Sequence, residues 1–254
     1  SQLRLRASIG STGSQSSAAY NAIGSYQYFL DKNYEGWMAA QLIGMHNPDL
    51  KWQEKREYNL GIDFNYKNRY SLIFEYYNAV TNNALNPLTL VPSTGFSSVQ
   101  ENVGKVQNRG FDLKAAATVW QRPEDRSYLN FSVMVSRNKN ILKEVSEAMR
   151  AYNEDQNNLT KGKNKPLNKF YDGVSMDAIW AMPSLGIDPA NGREIFLVKD
   201  ANGIYRRTYT YDASKQIVCG DAMPKFQGNA GMSFEYKGFG INVVVLYQYG
   251  APMY

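Results

Sequence analysis

The chain has 254 residues, 43% hydrophobic and 20% charged, and a net charge of +5 from 28 basic and 23 acidic residues. This mild charge, without a block of Lys and Arg, argues against nucleic-acid binding. One cysteine and one histidine exclude a disulfide framework and a multi-cysteine metal site. The sequence contains no run of about 18 apolar residues, so no transmembrane helix is predicted. The unusual feature is 19 tyrosines in a chain of polar mean hydropathy, −0.49.

Seven segments show apolar residues alternating with polar ones, the pattern of β-strands whose two faces meet different surroundings. Most of them approach the roughly 9–11 residues that a tilted strand needs to cross a bilayer. The sequence therefore predicts an all-β fold, with about seven membrane strands of a transmembrane antiparallel β-barrel. The apolar positions of these segments fall within residues 3–9, 58–66, 70–76, 111–119, 129–135, 230–236 and 239–249.

The predicted connections alternate strictly between short and long ones. The short ones cover residues 67–69, 121–127 and 237–238, and the long ones cover roughly 11–56, 78–109 and 138–228. Outer-membrane barrels have this arrangement, with short periplasmic turns and long extracellular loops. Within the long loops, one helix-like stretch is predicted at 141–152, and an Asp-Ala-Asn-Gly turn at 200–203 predicts a hairpin of 195–198 with 205–209.

Aromatic residues flank all three short turns, as an interfacial girdle requires. A general enrichment of tyrosine in strands is the alternative explanation. The flanking residues are Tyr66 and Tyr70, Trp120 and Tyr128, and Tyr236 and Phe239.

The number of predicted strands is odd, so the first and the last run in the same direction. A sheet of this kind leaves two edges that a membrane does not tolerate. We therefore expect the chain to be part of a larger barrel. Residues 1–6 also lack the pattern of a signal peptide.

Several ordered segments resemble signatures of the SusC/RagA-like TonB-dependent transporters. Residues 47–54 (NPDLKWQE) and 58–64 (YNLGIDF) are similar to the family's NPxLxWE segment and the strand after it, and residues 3–13 are similar to the strand before it. Residues 93–111 are similar to a TGFxxxxxNxGxxxNxGxE pattern. Shorter matches lie at 75–78, 184–189, 224–228 and 247–250.

The resemblance implies a fragment of a barrel of about 22 strands in the outer membrane of a Bacteroidota-type cell. It implies that residues 1–254 are a C-terminal part of the barrel domain, without the plug, the TonB box and the signal peptide. The implied function is import of a large nutrient, an oligosaccharide or a peptide, with no bond made or broken. The implied partners are a SusD-like surface lipoprotein, the TonB energy-transducing complex, outer-membrane lipid and the ligand.

Aromatic residues in the predicted long loops are the candidate ligand-binding residues. Trp37, Tyr34 and Trp180 could stack on the C–H faces of a sugar. The alternative is that these rings pack the loops against one another or against the lipoprotein.

A metal or catalytic site has little support in the sequence, so no cofactor is expected. Asp188 and Asp200 each precede an Asn-Gly pair and could bind calcium, but a turn is the better interpretation because the full spacing of a calcium loop is absent. His46 has no second histidine or cysteine to form a site with, and Cys219 has no evident role.

Charged residues on the polar side of the predicted strands are expected to face the water-filled interior. There they could contact the plug or be hydrated. They are Arg4, Arg6, Asp63, Glu75, Asp112, Lys114 and Glu235.

Two other functional classes remain as alternatives to transport. An outer-membrane phospholipase needs a serine and a histidine near the girdle, whereas His46 lies in a predicted long loop. A soluble or surface β-rich module that binds glycans or mediates adhesion, without transport, would fold alone and dissolve without detergent.

Overall fold

The computed structural model of the chain describes residues 1–15, 22–90, 92–159, 169–200 and 202–252. The strands are β1 (Gln2–Ser14), β2 (Tyr26–Tyr34), β3 (Trp37–Leu42), β4 (Gln53–Tyr66), β5 (Tyr70–Thr89), β6 (Ser98–Arg122), β7 (Ser127–Val145), β8 (Ala178–Ala181), β9 (Ser184–Ile187), β10 (Glu194–Lys199), β11 (Tyr205–Thr208), β12 (Ile217–Asp221), β13 (Phe226–Tyr236) and β14 (Phe239–Tyr249). One α-helix, α1 (Glu147–Leu159), follows β7. Within the described ranges, no helix combines the length and the apolar character that a membrane span needs.

Seven strands form one antiparallel sheet in the order β1-β4-β5-β6-β7-β13-β14. They are the seven strands predicted from the alternation, and each pairs with the next of them along the chain. The short turns after β4, β6 and β13 also lie where they were expected. We call the end of the sheet that carries these turns the turn end, and the opposite end the loop end.

All three predicted long loops are shorter than expected, because strands continue into them. β5 and β6 remain paired as far as Thr89 and Ser98, so their connection is 90–97 rather than 78–109. The predicted helix over 141–152 is wrong at its start, because β7 runs to Val145 and α1 begins at Glu147. Register shifts on these strands interrupt the simple alternation by which a strand is recognised.

The other connections carry small sheets of their own. β2 pairs with β3, β8 with β12, and β10 lies between β9 and β11. The pairing of β10 with β11 confirms the hairpin predicted around the turn at 200–203.

The alternation gives the large sheet an apolar face and a polar face. On β1, Leu5 and Ile9 point to the apolar face and are 72% and 75% exposed. A soluble protein rarely exposes a continuous apolar surface of this extent, so this face requires an apolar solvent. Its exposed members include Leu3, Leu60, Ile62, Phe64, Leu72, Phe131, Val133, Ile241, Val243 and Val245.

Aromatic rings border the apolar face at the turn end, as predicted. Tyr66 and Tyr70 have ring centroids 6.4 Å apart, and Trp120 lies 6.4 Å from Tyr236. Tyr128 is the exception, because its register opposite Gln121 places it on the polar face. A bulge between residues 118 and 120 of β6 shifts the alternation by one residue and brings Trp120 to the apolar face instead.

A small hydrophobic core lies at the loop end, outside the lipid-facing part of the sheet. Val106 and Leu142 lie on the polar face, each two residues beyond Asn108 and Asn140 on their strands. Since they share the core with Met149 of α1 and with Phe170, α1 and the segment after it cover the polar face there. The buried core residues are Ala84, Leu88, Val103, Val106, Leu142, Val145, Met149 and Phe170.

Two polar contacts hold the segment that follows α1. Asn153 donates from Nδ2 to the Phe170 carbonyl at 2.6 Å and accepts from the Phe170 N–H at 3.0 Å. Asp172 accepts from the Val145 N–H at 2.7 Å. The core and these contacts fix a folded cap over the polar face.

This packing predicts that Leu142→Ala loosens the cap without disturbing the sheet in the membrane. Leu142 is 1% exposed, and replacing a buried leucine by alanine costs about 2–5 kcal/mol. In the full-length protein, hydrogen–deuterium exchange of the α1 amides should rise by roughly tenfold or more. Leu185→Ala is the matched control, because Leu185 on β9 is 50% exposed. Equal exchange of α1 in both variants would contradict the packing described.

Candidate functional site on the polar face

Charged residues of the polar face meet in one cluster across β1, β4 and β5. Arg6 donates from Nη2 to Asp63 Oδ1 and to Glu75 Oε1, each at 2.7 Å. Gly61 lies opposite Arg6 in the register, and a Cβ at Gly61 would lie 3.1 Å from the Arg6 Cζ. Because Gly61 has no side chain, the Arg6 side chain can pass over β4 and reach Glu75 on β5.

These ion pairs lie in water rather than in a core. The Arg6 side chain is 44% exposed and that of Glu75 is 46% exposed. Exposed ion pairs contribute little to stability. The cluster is therefore better understood as a hydrated, charged surface that can bind polar groups.

A concavity of about 460 Å³ lies beside the cluster. Tyr77 closes one side of it by donating to Asn138 Oδ1 at 3.1 Å, with its ring lying over Gly110. A Cβ at Gly110 would come within 2.7 Å of this ring, so the crossing again depends on a glycine. Carboxylates outnumber cations in the lining, which consists of Arg6, Ala7, Ser8, Glu57, Asn59, Leu60, Gly61, Glu75, Tyr77 and Asp112.

The remaining charged residues predicted for the interior also lie on the polar face. Arg4 is opposite Asp63, Lys114 is opposite Met134, and Glu235 is opposite Tyr128. The expectation that all seven share one face is confirmed by the strand register. The register also shows which of these charged residues come into contact, whereas the alternation alone does not.

An asparagine clamp, which the sequence did not reveal, holds the segment before β4 against the hairpin of β5 and β6. Asn102 accepts from the Lys51 N–H at 2.8 Å and donates to the Lys51 carbonyl at 3.0 Å. It also donates to the Asn83 carbonyl at 2.8 Å, and its own side chain is buried. Asn102 belongs to the Asn-x-Gly part of the pattern quoted above, so the resemblance marked the residue but not its role.

Asn47 makes the second contact between these segments. Its Nδ2 donates to Glu101 Oε2 at 2.7 Å and to the Gln100 carbonyl at 3.2 Å. Burial raises the pKa of Glu101, and the charge of Asp49 adds to this effect. The 47–54 segment is thereby fixed against the β5–β6 hairpin at the loop end.

The three candidate ligand-binding aromatics have different surroundings. Trp37 begins β3 at the tip of a hairpin and is 79% exposed. Trp180 lies on β8, is half-buried and packs 5.4 Å from the Tyr171 ring. The backbone of Tyr34 pairs with Trp37, but the Tyr34 side chain lies outside the described residues. In the described part of the chain, no ring contact or hydrogen bond joins Trp37 to Trp180.

Both aspartates considered for calcium are engaged in turns. Asp188 accepts from the Tyr209 hydroxyl at 2.6 Å and from the Ala190 N–H at 2.9 Å. The Tyr209 hydrogen bond, followed by the Ala190 one, lowers the pKa of Asp188. Asp200 accepts from the Ile204 N–H at 2.9 Å and from Arg206 Nε at 3.0 Å.

Among the described residues, no three side chains of His, Cys, Asp or Glu form a group that could hold a metal ion. His46 lies against Gly24, where a Cβ would be 3.0 Å from the imidazole Nδ1. Cys219 is an exposed free thiol on β12.

Comparison with known proteins gives one family for almost the whole chain. The family model described as TonB dependent receptor-like, beta-barrel matches residues 1–253. TonB-dependent receptor P39 of Formosa agariphila is 25% identical over 285 residues, which cover 99% of this chain and 27% of that protein. TonB-dependent receptor P3 of the same organism is 25% identical over 260 residues, covering 94% and 24%. The chain thus spans about a quarter of the length of these curated relatives.

Solved structures share the fold. The RagAB peptide transporter matches with a TM-score of 0.75 and 23% identity, covering 98% of this chain and 26% of that chain. The RagAB peptide importer in its open-open state matches with a TM-score of 0.71 and 22% identity, covering 98% and 26%.

The asparagine clamp predicts a specific effect of Asn102→Ala. The change leaves the N–H and carbonyl of Lys51 without their partners, which costs about 1–3 kcal/mol when the groups remain buried. Trypsin should then cut the full-length protein after Lys51 roughly tenfold faster or more. Asn191→Ala, in an exposed turn, is the control and should leave this cleavage unchanged. Unaltered cleavage in Asn102→Ala would show that the clamp does not hold the segment.

Proposed function

The chain belongs to the family of TonB-dependent receptor-like β-barrels, which confirms the resemblance noted in the sequence, and we propose that it is part of an importer for a large nutrient. The family lies in the bacterial outer membrane and consists of receptors and transporters, not of enzymes. The sheet is accordingly a transmembrane part of such a barrel. We propose further that residues 1–254 are a C-terminal part of the barrel domain of a longer protein.

The observation that carries this proposal is the contrast between the two faces of the sheet. The apolar face exposes large side chains such as Leu5 and Ile9, which lipid would cover. The polar face carries solvated ion pairs and a concavity with a net negative lining. A wall with these two faces separates lipid from an aqueous passage, which is what import of a polar solute requires.

Two proposed partners would supply the energy for import and help to capture the cargo. We propose that the TonB complex supplies the energy, as the family name indicates, and that a SusD-like surface lipoprotein acts with the barrel. The two-part name of the RagAB transporter supports the second partner. The cap over the polar face and the β2–β3 hairpin lie at the loop end, where such a lipoprotein would reach them.

The cargo is proposed as an oligosaccharide or a peptide. The RagAB neighbours are peptide importers by name, which supports a peptide. The exposed Trp37 supports a sugar, because an aromatic ring can stack on its apolar face. The soluble binding-module alternative does not account for the exposed apolar face.

An uptake experiment tests the transport proposal. A strain that lacks the gene for the full-length protein should lose uptake of either labelled oligosaccharides or labelled peptides, and the wild-type gene should restore it. A protonophore should abolish the restored uptake, because TonB-dependent import uses inner-membrane energy. Uptake that is restored but insensitive to the protonophore would contradict TonB dependence, and unchanged uptake of both cargo classes in the deletion strain would contradict the import proposal.

Trp37 gives the cleaner test of ligand stacking, because its exposure makes a folding effect of Trp37→Ala small. If the ring stacks on the cargo, the affinity of the full-length protein should fall roughly twofold to thirteenfold, in line with about 0.5–1.5 kcal/mol for an aromatic contact. Isothermal titration with the cargo found by the uptake experiment measures this. Trp52→Ala, at another exposed tryptophan, is the control. Equal affinities of the two variants and the wild type would show that Trp37 does not contact the ligand. Trp180→Ala is a less decisive test, because it also removes the contact with Tyr171.

A further inference from the structure

Three cations lie side by side on the apolar face at its loop end. Arg109 on β6 is directly opposite Lys139 on β7, and Arg137 points to the same face two residues from Lys139. All three side chains are exposed. We call Arg109, Arg137 and Lys139 the basic cluster.

The basic cluster has no counter-charge among the residues that the structure describes. Within the described ranges, no ion pair joins a member of the basic cluster to a carboxylate, whereas Arg56 at a similar height is paired with Glu54 at 2.8 Å. Like charges directly opposite one another on neighbouring strands are destabilising. A bound anion between Arg109 and Lys139 would remove that repulsion.

The height of the basic cluster matches a membrane boundary. Below it toward the turn end, the apolar-face positions of β7 are all apolar, namely Val135, Val133, Phe131 and Leu129. Lys139 lies ten residues after Leu129, which marks the turn-end level on this strand. Ten residues span about 33 Å along a strand, and a tilt of roughly 35–45° reduces this to about the 25 Å of a barrel's apolar band.

One member of the basic cluster is already positioned by an aromatic ring. The guanidinium of Arg137 lies 5.2 Å from the centroid of the Phe226 ring on the neighbouring strand β13. This contact holds the charge close to the sheet, and the N–H groups at the edge of the guanidinium can meet an anion in two contacts.

From these observations we propose that the basic cluster binds the phosphate groups of a phosphorylated glycolipid in the outer leaflet of the membrane. The site is continuous with the lipid-facing surface, so the acyl chains of the same molecule would lie on the apolar residues below it. Arg and Lys at this height would reach the headgroups. The lipid neutralises the repulsion between Arg109 and Lys139 and fixes the depth of the sheet in the membrane.

The turn end offers a matched comparison. There Lys67, Arg122 and Lys237 lie over the rings of Tyr66, Trp120 and Tyr236, at 5.3, 5.7 and 5.5 Å. These cations are on separate turns rather than opposite one another, so they form no shared site for one phosphate.

The test uses the full-length protein in nanodiscs of phosphatidylethanolamine with a small fraction of lipid A, either phosphorylated or enzymatically dephosphorylated. Native mass spectrometry after detergent extraction counts the lipid A that stays bound. The wild type should retain roughly tenfold more phosphorylated than dephosphorylated lipid A. The variant with Arg109→Gln, Arg137→Gln and Lys139→Gln should retain both at the lower level, while Lys67→Gln, Arg122→Gln and Lys237→Gln together should behave as the wild type.

Either of two results would overturn the proposal. The first is equal retention of the two forms of lipid A by the wild type, an experiment that needs no variant and so does not depend on the variant's folding. The second is an equal loss of phosphorylated lipid A in both triple variants, which would show that total charge rather than the basic cluster decides binding. Heat-modified mobility on gels confirms that each variant is folded before it is compared.

Discussion

The structure depends on one constraint, which is that every backbone N–H and C=O in hydrocarbon must find its partner within protein. An antiparallel ladder satisfies this for the five inner strands of the large sheet and for the inner sides of β1 and β14. The same ladder forces successive side chains to opposite faces. A sheet that has lipid on one side and water on the other therefore needs the strict apolar and polar alternation that this sequence shows, and the chemistry of both faces follows from it.

Signals that are local along the chain were sufficient to predict most of the sheet. Alternation and short turns are read from neighbouring residues, so the seven strands and three turns agree with the structure. The loop-end parts of β5, β6 and β7 could not be predicted in this way. Asn83 interrupts the β5 ladder with a positive φ of 51°, and the apolar residues beyond it pack with Met149 and Phe170, which lie far away in sequence.

The polar face shows the same limit at the level of single residues. The alternation alone assigned Arg6, Glu75 and the other charged residues to one face, because it requires only whether a residue occupies an odd or an even position in its strand. The contact between Arg6 and Glu75 required the register of three strands and the absence of a side chain at Gly61. The asparagine clamp at Asn102 likewise joins segments about 50 residues apart, and no short-range pattern reports such a contact.

Strand ends do not mark the membrane boundary in this fold, and side-chain chemistry has to do so instead. β6 is 25 residues long, more than twice the roughly 9–11 residues that cross a bilayer, and it continues without interruption from the lipid into the loop-end cap. At the turn end, Trp120 and its neighbouring rings fix one boundary. At the loop end of β6 and β7, the unbroken run of apolar side chains on the lipid-facing surface ends at Arg109 and Arg137, with Lys139 opposite Arg109. Because backbone pairing is the same on both sides of that level, charged side chains that favour headgroups over hydrocarbon determine how deeply the sheet lies in the membrane.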